Sequence, residues 1–189
     1  MLALMESLVD PLRDISPHYR VLPKAHNGSM FRIYRDTRFS HDKKPYKENI
    51  GCQFRHEAGK SAHAPGFYLH LEPGNVFAGG GVWLPPSPVL NKIRLIISAF
   101  PKSWEQVVTS TDLLALTQGV EGESLKRCPA GIDPTHPYID DLKRKSFFAM
   151  RYFTDEEACD AEFVVKLRQT FNAVSPLMKF LTQSLELRY

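Results

Sequence analysis

The fold is decided by residues 66–84, which read GFYLHLEPGNVFAGGGVWL. Two runs rich in aromatic and aliphatic residues, 66–72 and 76–84, flank the sequence Pro-Gly-Asn, and this pattern predicts a β-hairpin. A two-residue turn at Gly74 and Asn75 is favoured, because a type II′ turn takes glycine at its first central position. The chain is therefore expected to contain an antiparallel sheet built around this hairpin.

The predicted turn also determines which residues of the hairpin lie opposite each other. It pairs His70 with Gly79 and Tyr68 with Gly81, and side chains alternate between the two faces of each strand. One face is apolar and is predicted to face the core; its members are Phe67, Leu69, Leu71, Ala78 and Val82. The opposite face carries Tyr68, His70, Glu72, Phe77, Gly79, Gly81 and Trp83.

Helices are predicted on both sides of the hairpin. Ser87 followed by Pro88 is typical of a helix start, a capping residue and then proline in the first turn, and this helix is expected over 87–99. Further along the chain, Thr154 and Glu157 form a capping-box pair. An apolar stripe at helical spacing follows, made of Phe163, Leu167, Phe171, Val174, Met178, Leu181 and Leu185.

Shorter elements complete the predicted fold. Apolar periodicity predicts helices over 4–13, 104–108 and 137–145, and strands over 30–34, 49–56, 121–128 and 146–152. Strands in the middle of the chain with helices at both ends are typical of the α+β class. We therefore predict one domain over residues 1–189, with a mostly antiparallel sheet packed by N- and C-terminal helices.

The composition excludes several classes of protein. Hydrophobic residues make up 43% of the 189 residues and charged residues 24%, which is the balance of a globular protein rather than a disordered one. Cys52, Cys128 and Cys159 are odd in number and far apart, so neither a disulfide framework nor a cysteine zinc site is expected. No membrane span or signal peptide is recognisable, so we expect a cytoplasmic protein with no membrane partner.

The most unusual stretch is 31–47, which we call the basic segment. Positions 30–60 carry eight Lys or Arg against four Asp or Glu, although the net charge of the chain is only +3. Guanidinium groups suit bidentate binding of phosphate or carboxylate, and aromatic rings stack on flat ligands. The cations are Arg32, Arg35, Arg38, Lys43, Lys44 and Lys47, and the aromatics are Phe31, Tyr34, Phe39 and Tyr46. The alternative is a solvated loop whose cations pair with Asp36, Asp42 and Glu48.

The glycine run at 79–81 interrupts a predicted strand and therefore needs a physical reason. Glycines weaken a strand, so the run indicates a bulge or the close approach of another group to the backbone. No Gly-Lys-Ser or Gly-Lys-Thr follows it, so it is not a P-loop, and no cofactor is expected. The spacing of His56, His63 and His70 matches no metal-binding motif, so no metal is expected either.

The polar face of the hairpin supplies weak candidates for catalysis. His70 shares that face with Tyr68 and Glu72, and a histidine beside a phenol and a carboxylate can take part in acid–base chemistry. The alternative is an ordinary solvated face, which antiparallel sheets commonly have. The sequence leaves both interpretations open.

Several motifs, in order along the chain, resemble a known family. They are FRIYRDTRFS at 31–40, KPYK at 44–47, GFYLHLEP at 66–73, FAGGG at 77–81, GESLKR at 122–127, HP at 136–137 and DLKRK at 141–145. Together they resemble an uncharacterised family of bacteria and fungi catalogued as domain of unknown function 2461. The resemblance implies no known activity, substrate or catalytic residue. Members usually carry a further N-terminal segment with a Trp-Phe pair, which we expect this chain to lack.

The leading hypothesis for function is a pocket for a small ligand that carries a phosphate or carboxylate. Cations would bind the charge, aromatic and histidine side chains would contact the body, and glycines would leave room. The expected residues are Arg32, Arg35, Arg38, Lys47, Lys126, Tyr68, His70, Gly79, Gly80 and Gly81. At least two of the three arginines are predicted to point toward Tyr68 and His70.

Other functions stay open at this point. An enzymatic version of the ligand hypothesis adds His70 as acid or base, with Glu72 nearby. The alternatives are a nucleic-acid-binding protein that uses the basic segment and its aromatics, and a scaffold or interaction domain without a ligand. A nucleic-acid-binding protein would spread its cations over a broad surface, whereas a small-ligand protein would place them in a concave pocket.

Overall fold

The computed structural model describes residues 1–35, 38, 44–59 and 64–189. Several members of the basic segment (Asp36, Phe39, Asp42 and Lys43) and His63 lie outside the described residues. The helices are α1 (Leu2–Glu6), α2 (Val9–Ile15), α3 (Ser87–Ala99), α4 (Pro101–Val108), α5 (Thr111–Leu116), α6 (Ile139–Leu142), α7 (Asp155–Cys159) and α8 (Phe163–Ser184). The strands are β1 (Tyr19–Arg20), β2 (Ile50–His56), β3 (Gly66–Leu71), β4 (Val76–Val82) and β5 (Phe147–Phe153).

The strands form one sheet in the order β1-β2-β3-β4-β5, and each neighbouring pair is antiparallel. Helices α3 to α6 are inserted between β4 and β5, while α1, α2, α7 and α8 come from the two ends of the chain. The predicted α+β class, with a mostly antiparallel sheet and terminal helices, is therefore confirmed. No helix in the described part of the chain is both long and apolar enough to cross a membrane.

The core lies between one face of the sheet and α8. Phe171 of α8 is fully buried, and its ring packs edge-on against Phe54 of β2 and Phe67 of β3, with centroid distances of 6.0 and 5.3 Å. Helices α2, α4 and α5 contact α8 in turn. The stripe predicted from the sequence is buried from Phe163 to Leu181. Apolar periodicity in this helix therefore located the core correctly.

The hairpin forms where the sequence predicts it, but its register is different. His70 lies opposite Phe77, and Tyr68 lies opposite Gly79, whereas the prediction paired them with Gly79 and Gly81. The shift is two residues, so each side chain remains on its predicted face. The apolar members of the hairpin accordingly face the core, as expected.

The turn of the hairpin explains the shift in register. The Asn75 backbone N–H donates to the Glu72 carbonyl oxygen at 2.9 Å, which closes a four-residue turn with Pro73 and Gly74 at its centre. Gly74 has a φ of +74°, and a type II turn takes proline first and a positive-φ glycine second. The prediction of a Gly-Asn turn was wrong because Pro73 favours the first central position of a type II turn, which moves the turn back by one residue.

Two predicted strands are reduced to isolated bridges. Residues 30–34 do not form a strand: Met30 makes an isolated bridge to Cys52 of β2, and Tyr34 makes one to Tyr46. The segment 121–128 makes only two isolated bridges, from Glu121 to Phe148 and from Ser124 to Arg144. Both segments nevertheless run against the sheet, one beside β2 and one beside β5.

The helices at the two ends of the chain adapt to their prolines. The predicted helix over 4–13 is divided into α1 and α2, and Pro11 falls in the first turn of α2. Proline is tolerated there because the first backbone N–H groups of a helix have no partner within it. Pro176 lies inside α8, which continues past it to Ser184. The short elements α5 and β1 were not predicted.

Candidate functional site

The face of the sheet opposite α8, which we call the open face, carries polar, glycine and aromatic residues. Strand pairing arranges them in rows across the sheet. One row contains Gln53, Tyr68, Gly79 and Met150. The next contains Arg55, Gly66, Gly81 and Phe148. The second row has two directly paired glycines at its centre, so the backbone there is not covered by side chains of its own.

A cavity of about 500 Å³ lies over these rows, and we call it the aromatic cleft. It is lined by Phe31, Gln53, Gly66, Tyr68, Phe77, Gly81, Trp83, Glu121, Phe148, Met150 and Tyr152. Trp83 and Tyr152 stand at its edge with 61% and 53% of their surface exposed. The cleft therefore combines a glycine floor, aromatic walls and a few polar groups, which is the usual make-up of a small-molecule site.

A second cavity, of about 590 Å³, adjoins the first, and we call it the polar cavity. It is lined by Phe31, Arg35, Lys47, Glu48, Asn49, Tyr68 and Glu72. Phe31 and Tyr68 line both cavities, and their ring centroids are 6.3 Å apart. These two rings mark the junction between an aromatic end and a charged end.

Phe31 is held at this junction by the edge of the sheet. Its backbone N–H donates to the Gly51 carbonyl oxygen of β2 at 2.9 Å. Two cations lie near its ring, the Lys47 ammonium and the Arg55 guanidinium, each 5.8 Å from the ring centroid. The negative face of an aromatic ring attracts such cations, so Phe31 helps to hold positive charge near both cavities.

Three polar side chains of the β3 hairpin form a hydrogen-bonded row. The Tyr68 hydroxyl lies 3.1 Å from Nδ1 of His70, and Nε2 of His70 lies 3.2 Å from Oε2 of Glu72. The His70 ring also stacks on Phe77 at 4.6 Å with an interplanar angle of 10°. Side chains at alternate positions of a strand share a face, which is why the sequence pattern located this group correctly.

The charges in this row determine the direction of its hydrogen bonds. Hydrogen bonds from the Asn75 amide and, to a smaller extent, from His70 lower the pKa of Glu72 below its ordinary value. This carboxylate is therefore ionised and can only accept hydrogen bonds. Nε2 of His70 therefore donates to it, and in the neutral form of the ring Nδ1 accepts from the Tyr68 hydroxyl. Burial raises the pKa of Tyr68, which keeps its proton in place. The row can pass a proton between the junction and His70, as acid–base chemistry requires.

Glu121 contributes a carboxyl group to the aromatic cleft from outside the five strands. Its backbone N–H donates to the Phe148 carbonyl oxygen of β5 at 2.7 Å, which places the residue beside the cleft. Its Oε1 atom is buried without a hydrogen-bond partner among the described residues. Burial raises the pKa of this carboxyl, while the Met150 backbone and the Arg144 charge oppose the rise.

The glycine run has a structural reason that the sequence indicated only in general. A Cβ atom at Gly79 would meet the Ala149 carbonyl oxygen, and one at Gly81, where φ is +153°, would meet the Phe147 carbonyl oxygen. The group that approaches closely is therefore the neighbouring strand β5. Gly80 faces the core, where a Cβ would lie 2.7 Å from Sδ of Met178. The structure does not bring Gly80 to either cavity.

The predicted cations are only partly brought together. Arg35 and Lys47 line the polar cavity with Tyr68. Arg32 and Arg38 are exposed and line neither cavity in the described part of the chain, and the same is true of Lys126. Of the three arginines predicted to point toward Tyr68 and His70, Arg35 lines a cavity with Tyr68.

Several residues of the two cavities were not predicted as site residues. They are Gln53, Gly66, Phe77, Trp83, Glu121, Phe148, Met150 and Tyr152 in the aromatic cleft, and Glu48 and Asn49 in the polar cavity. Alternation along β5 would have placed its three members on the open face once the core face was known. Nothing in the local sequence indicates Glu121, because its position depends on pairing between distant segments. Among the described residues, no group of three His, Cys, Asp or Glu side chains is arranged to hold a metal ion.

The described residues define an α+β protein whose antiparallel sheet carries two cavities of ligand size on the face opposite α8. The chain belongs to the family described as conserved hypothetical protein DUF2461, whose model matches residues 1–180. This membership confirms the resemblance seen in the sequence motifs. No curated protein and no solved structure matches the chain.

Proposed function

We propose that the protein binds a small ligand that carries a phosphate or carboxylate group. The charged group would lie in the polar cavity and the body of the ligand in the aromatic cleft. The observation that carries this proposal is that the two cavities meet at Phe31 and Tyr68. A ligand that crosses this junction contacts cations at one end and aromatic rings at the other.

The charges of the polar cavity support an anion near Lys47. Glu48 already forms an ion pair with Lys44 at 2.7 Å, and Glu72 accepts from the Asn75 amide at 2.9 Å. Lys47 forms no salt bridge with a described residue and lies over the Phe31 ring. The two carboxylates therefore have partners of their own, and the Lys47 ammonium is available to an incoming anion. The guanidinium of Arg35 adds the geometry for bidentate contact.

The shape of the site favours a small molecule over a nucleic acid. Both cavities fall within the volume range of about 300–1,000 Å³ that small-ligand sites usually have. Nucleic-acid-binding proteins spread many cations over an exposed surface, because their affinity comes from neutralising successive phosphates. Here Arg35 is half-buried in a concave site, and Arg32, close by in sequence, is exposed outside it.

The proposal extends to chemistry on the ligand. The row formed by Tyr68, His70 and Glu72 ends at the junction of the two cavities. A ligand atom near the Tyr68 hydroxyl could exchange a proton with it, and His70 would take up or return that proton. We place this action in the cytoplasm, where reducing conditions suit the free thiols of the three cysteines.

Thermal unfolding in phosphate tests the proposal. Inorganic phosphate, compared with chloride at constant ionic strength, is expected to raise Tm, because a ligand that binds only the folded state stabilises it. For a protein of this size each kcal/mol of stabilisation corresponds to about 2–4 °C. Arg35→Met and Lys47→Met should each reduce the rise, and the double variant should abolish it. Arg32→Met, which removes a cation outside the cavities, is the matched control and should retain it.

Three results would count against the proposal. A Tm that does not respond to phosphate contradicts the anion site directly. Equal losses in Arg32→Met and Lys47→Met would mean that phosphate acts on the general charge of the surface. Affinity for single-stranded oligonucleotides that increases with their length and falls steeply with salt would favour the nucleic-acid hypothesis instead.

A further inference from the structure

We infer that the aromatic cleft binds a planar nitrogen heterocycle and that Glu121 accepts a hydrogen bond from an N–H group on the edge of that ring. The inference rests on the proposed function, since it identifies the body of the ligand whose anionic group lies beside Arg35 and Lys47. The chemical class is a heterocycle with an N–H donor and a flexible anionic substituent, as in a purine nucleoside monophosphate.

The cleft has the surface that a flat ring requires. Its floor includes Gly66 and Gly81, which lie directly opposite each other in β3 and β4 and carry no side chains of their own, while the Gln53 side chain packs beside Gly66. Trp83 and Phe148 form one aromatic wall, with ring centroids 5.1 Å apart. The 61% exposure of Trp83 leaves indole surface that a bound ring can cover. Stacking of this kind selects flat rings because every base or heterocycle offers a π-face.

The polar edge of the cleft selects among flat rings. Glu121 lines the cleft, and its Oε1 atom is buried with no partner on the described chain. Buried polar atoms in folded proteins nearly always have a hydrogen-bond partner, so each exception calls for an explanation. Oε1 is covered in the protein without ligand, so the carboxyl has to turn toward the cleft before an N–H group of a ligand can complete it, whereas a hydrocarbon ring would leave it unsatisfied. The arrangement therefore favours a nitrogen heterocycle over a purely aromatic ligand.

The distance between the two ends of the site sets the length of the ligand. Glu121 pairs with Phe148 of β5, and Tyr68 lies two strands further on, in β3. Neighbouring strands are about 4.8 Å apart, so three spacings separate Glu121 from Tyr68 by about 14 Å. A single ring with a directly attached carboxylate is shorter than this. A heterocycle joined to its anionic group through a flexible spacer can reach from Glu121 past Tyr68 to the polar cavity.

Titration calorimetry on the full chain at constant ionic strength tests the inference. The probes are inorganic phosphate, ribose 5-phosphate, adenosine, adenosine monophosphate and purine riboside monophosphate, whose ring lacks the exocyclic amino group. Adenosine monophosphate is expected to bind at least ten-fold more tightly than ribose 5-phosphate. It should also bind several-fold more tightly than purine riboside monophosphate, because only the adenine ring offers the N–H group.

Substitutions in the cleft separate ring recognition from anion recognition. Trp83→Ala should weaken adenosine monophosphate at least ten-fold and leave inorganic phosphate unchanged. Glu121→Leu should reduce adenosine monophosphate to the affinity of purine riboside monophosphate. Glu121→Gln, whose amide oxygen still accepts a hydrogen bond, should retain most of the affinity. Urea unfolding of each variant without ligand checks that a loss of binding is not a loss of folding.

The outcomes distinguish this inference from the proposed function. If phosphate raises Tm but adenosine monophosphate binds no better than ribose 5-phosphate, the heterocycle inference is overturned and the anion site stands. If adenosine binds in a manner that depends on Glu121 while phosphate does not bind, the ring inference stands and the anion site fails. Affinity that grows with oligonucleotide length would overturn the inference, because the ligand would then be a nucleic-acid strand.

Discussion

The two faces of the sheet are built from alternate residues of the same strands, yet they are covered in different ways. The core face lies under α8, and large side chains such as Phe67 and Phe171 are fully buried there. In the described part of the chain, the open face is flanked by Phe31 and Glu121 from outside the strands, and it carries both cavities. One face is therefore filled by the protein itself, and the other leaves room.

This difference shows how one strand can serve two purposes. In β4, Ala78 and Gly80 are small and lie under α8, while Phe77 on the other face stacks on His70. The core face is held by apolar packing, which needs no particular direction. The open face instead keeps partly buried hydrogen-bonding groups and titratable side chains. Buried polar groups lower the stability of a protein unless they have hydrogen-bond or charge partners, so they indicate where a ligand is expected.

The largest expected effect comes from the core face. Phe171→Ala should lower the free energy of unfolding by about 3–5 kcal/mol, because it removes a fully buried ring and leaves a cavity. Urea unfolding measures the loss. Trp83→Ala, on the edge of the open face, removes a ring that is 61% exposed and should cost less than about 1 kcal/mol. Equal losses for the two variants would mean that the faces do not differ as described.

A smaller effect separates the glycines of β4. Gly81→Ala should cost about 2–3 kcal/mol, because its φ of +153° is strained for other residues and the new Cβ meets the β5 backbone. Gly80→Ala should cost about 1–2 kcal/mol, since the new Cβ meets the flexible side chain of Met178, which can move. Denaturant midpoints of the two variants test this order, and the reverse order would contradict it.

The open face should also show a pH dependence that the core face lacks. Burial raises the pKa of Glu121 in the folded protein above its ordinary value of 4.5. At pH values between 4.5 and this raised pKa, the folded protein therefore holds more protons than the unfolded chain. Stability contributed by this group is therefore lost as pH rises through that interval. Glu121→Gln should remove the part of the pH dependence of unfolding that Glu121 causes. The variant should therefore be stabilised relative to the natural protein, and by more at pH 7 than at pH 4.

Urea unfolding at a series of pH values measures the slope for Glu121. Glu123→Gln is the matched control, since the Glu123 side chain is 77% exposed and lies two residues away. It should leave the pH dependence close to that of the natural protein. If the pH dependence disappears in Glu123→Gln and persists in Glu121→Gln, then Glu123 causes it and our assignment to Glu121 is wrong.

The smallest effect is expected at the surface, away from both faces. Lys92 and Glu186 form an ion pair at 2.8 Å, with 54% and 81% of their side chains exposed. Solvent screens such pairs, so a double-mutant cycle with Lys92→Met and Glu186→Gln should give a coupling smaller than any of the losses above. A coupling as large as the loss in Phe171→Ala would show that surface charge contributes far more to this fold than we describe.

Local features of the sequence were sufficient for much of the fold. The capping box at Thr154 and Glu157 forms as predicted, with both of its hydrogen bonds present. Helix α3 covers the predicted range, although its N-cap is Pro86 and not the predicted Ser87, and the apolar stripe of α8 is buried. These predictions succeeded because helix capping and apolar periodicity depend on residues a few positions apart.

Predictions that depended on longer range were less complete. The hairpin register was wrong by two residues because it depended on the competition between two turns, one centred on Pro73 and Gly74 and the other on Gly74 and Asn75. The basic segment was predicted as one site, but its residues diverge: Lys47 lines the polar cavity, and Arg32 is exposed. Charge along a sequence does not determine the direction in which each side chain points.

The sequence by itself determined the α+β class, the face to which each residue of the hairpin points, and the row formed by Tyr68, His70 and Glu72. These follow from alternation along a strand, which is a local property. Only the tertiary structure decided that Phe31 and Glu121 reach the same sheet face from opposite sides. Contacts between segments so far apart in the chain depend on how the sheet pairs and what covers it, and no local pattern of residues records that.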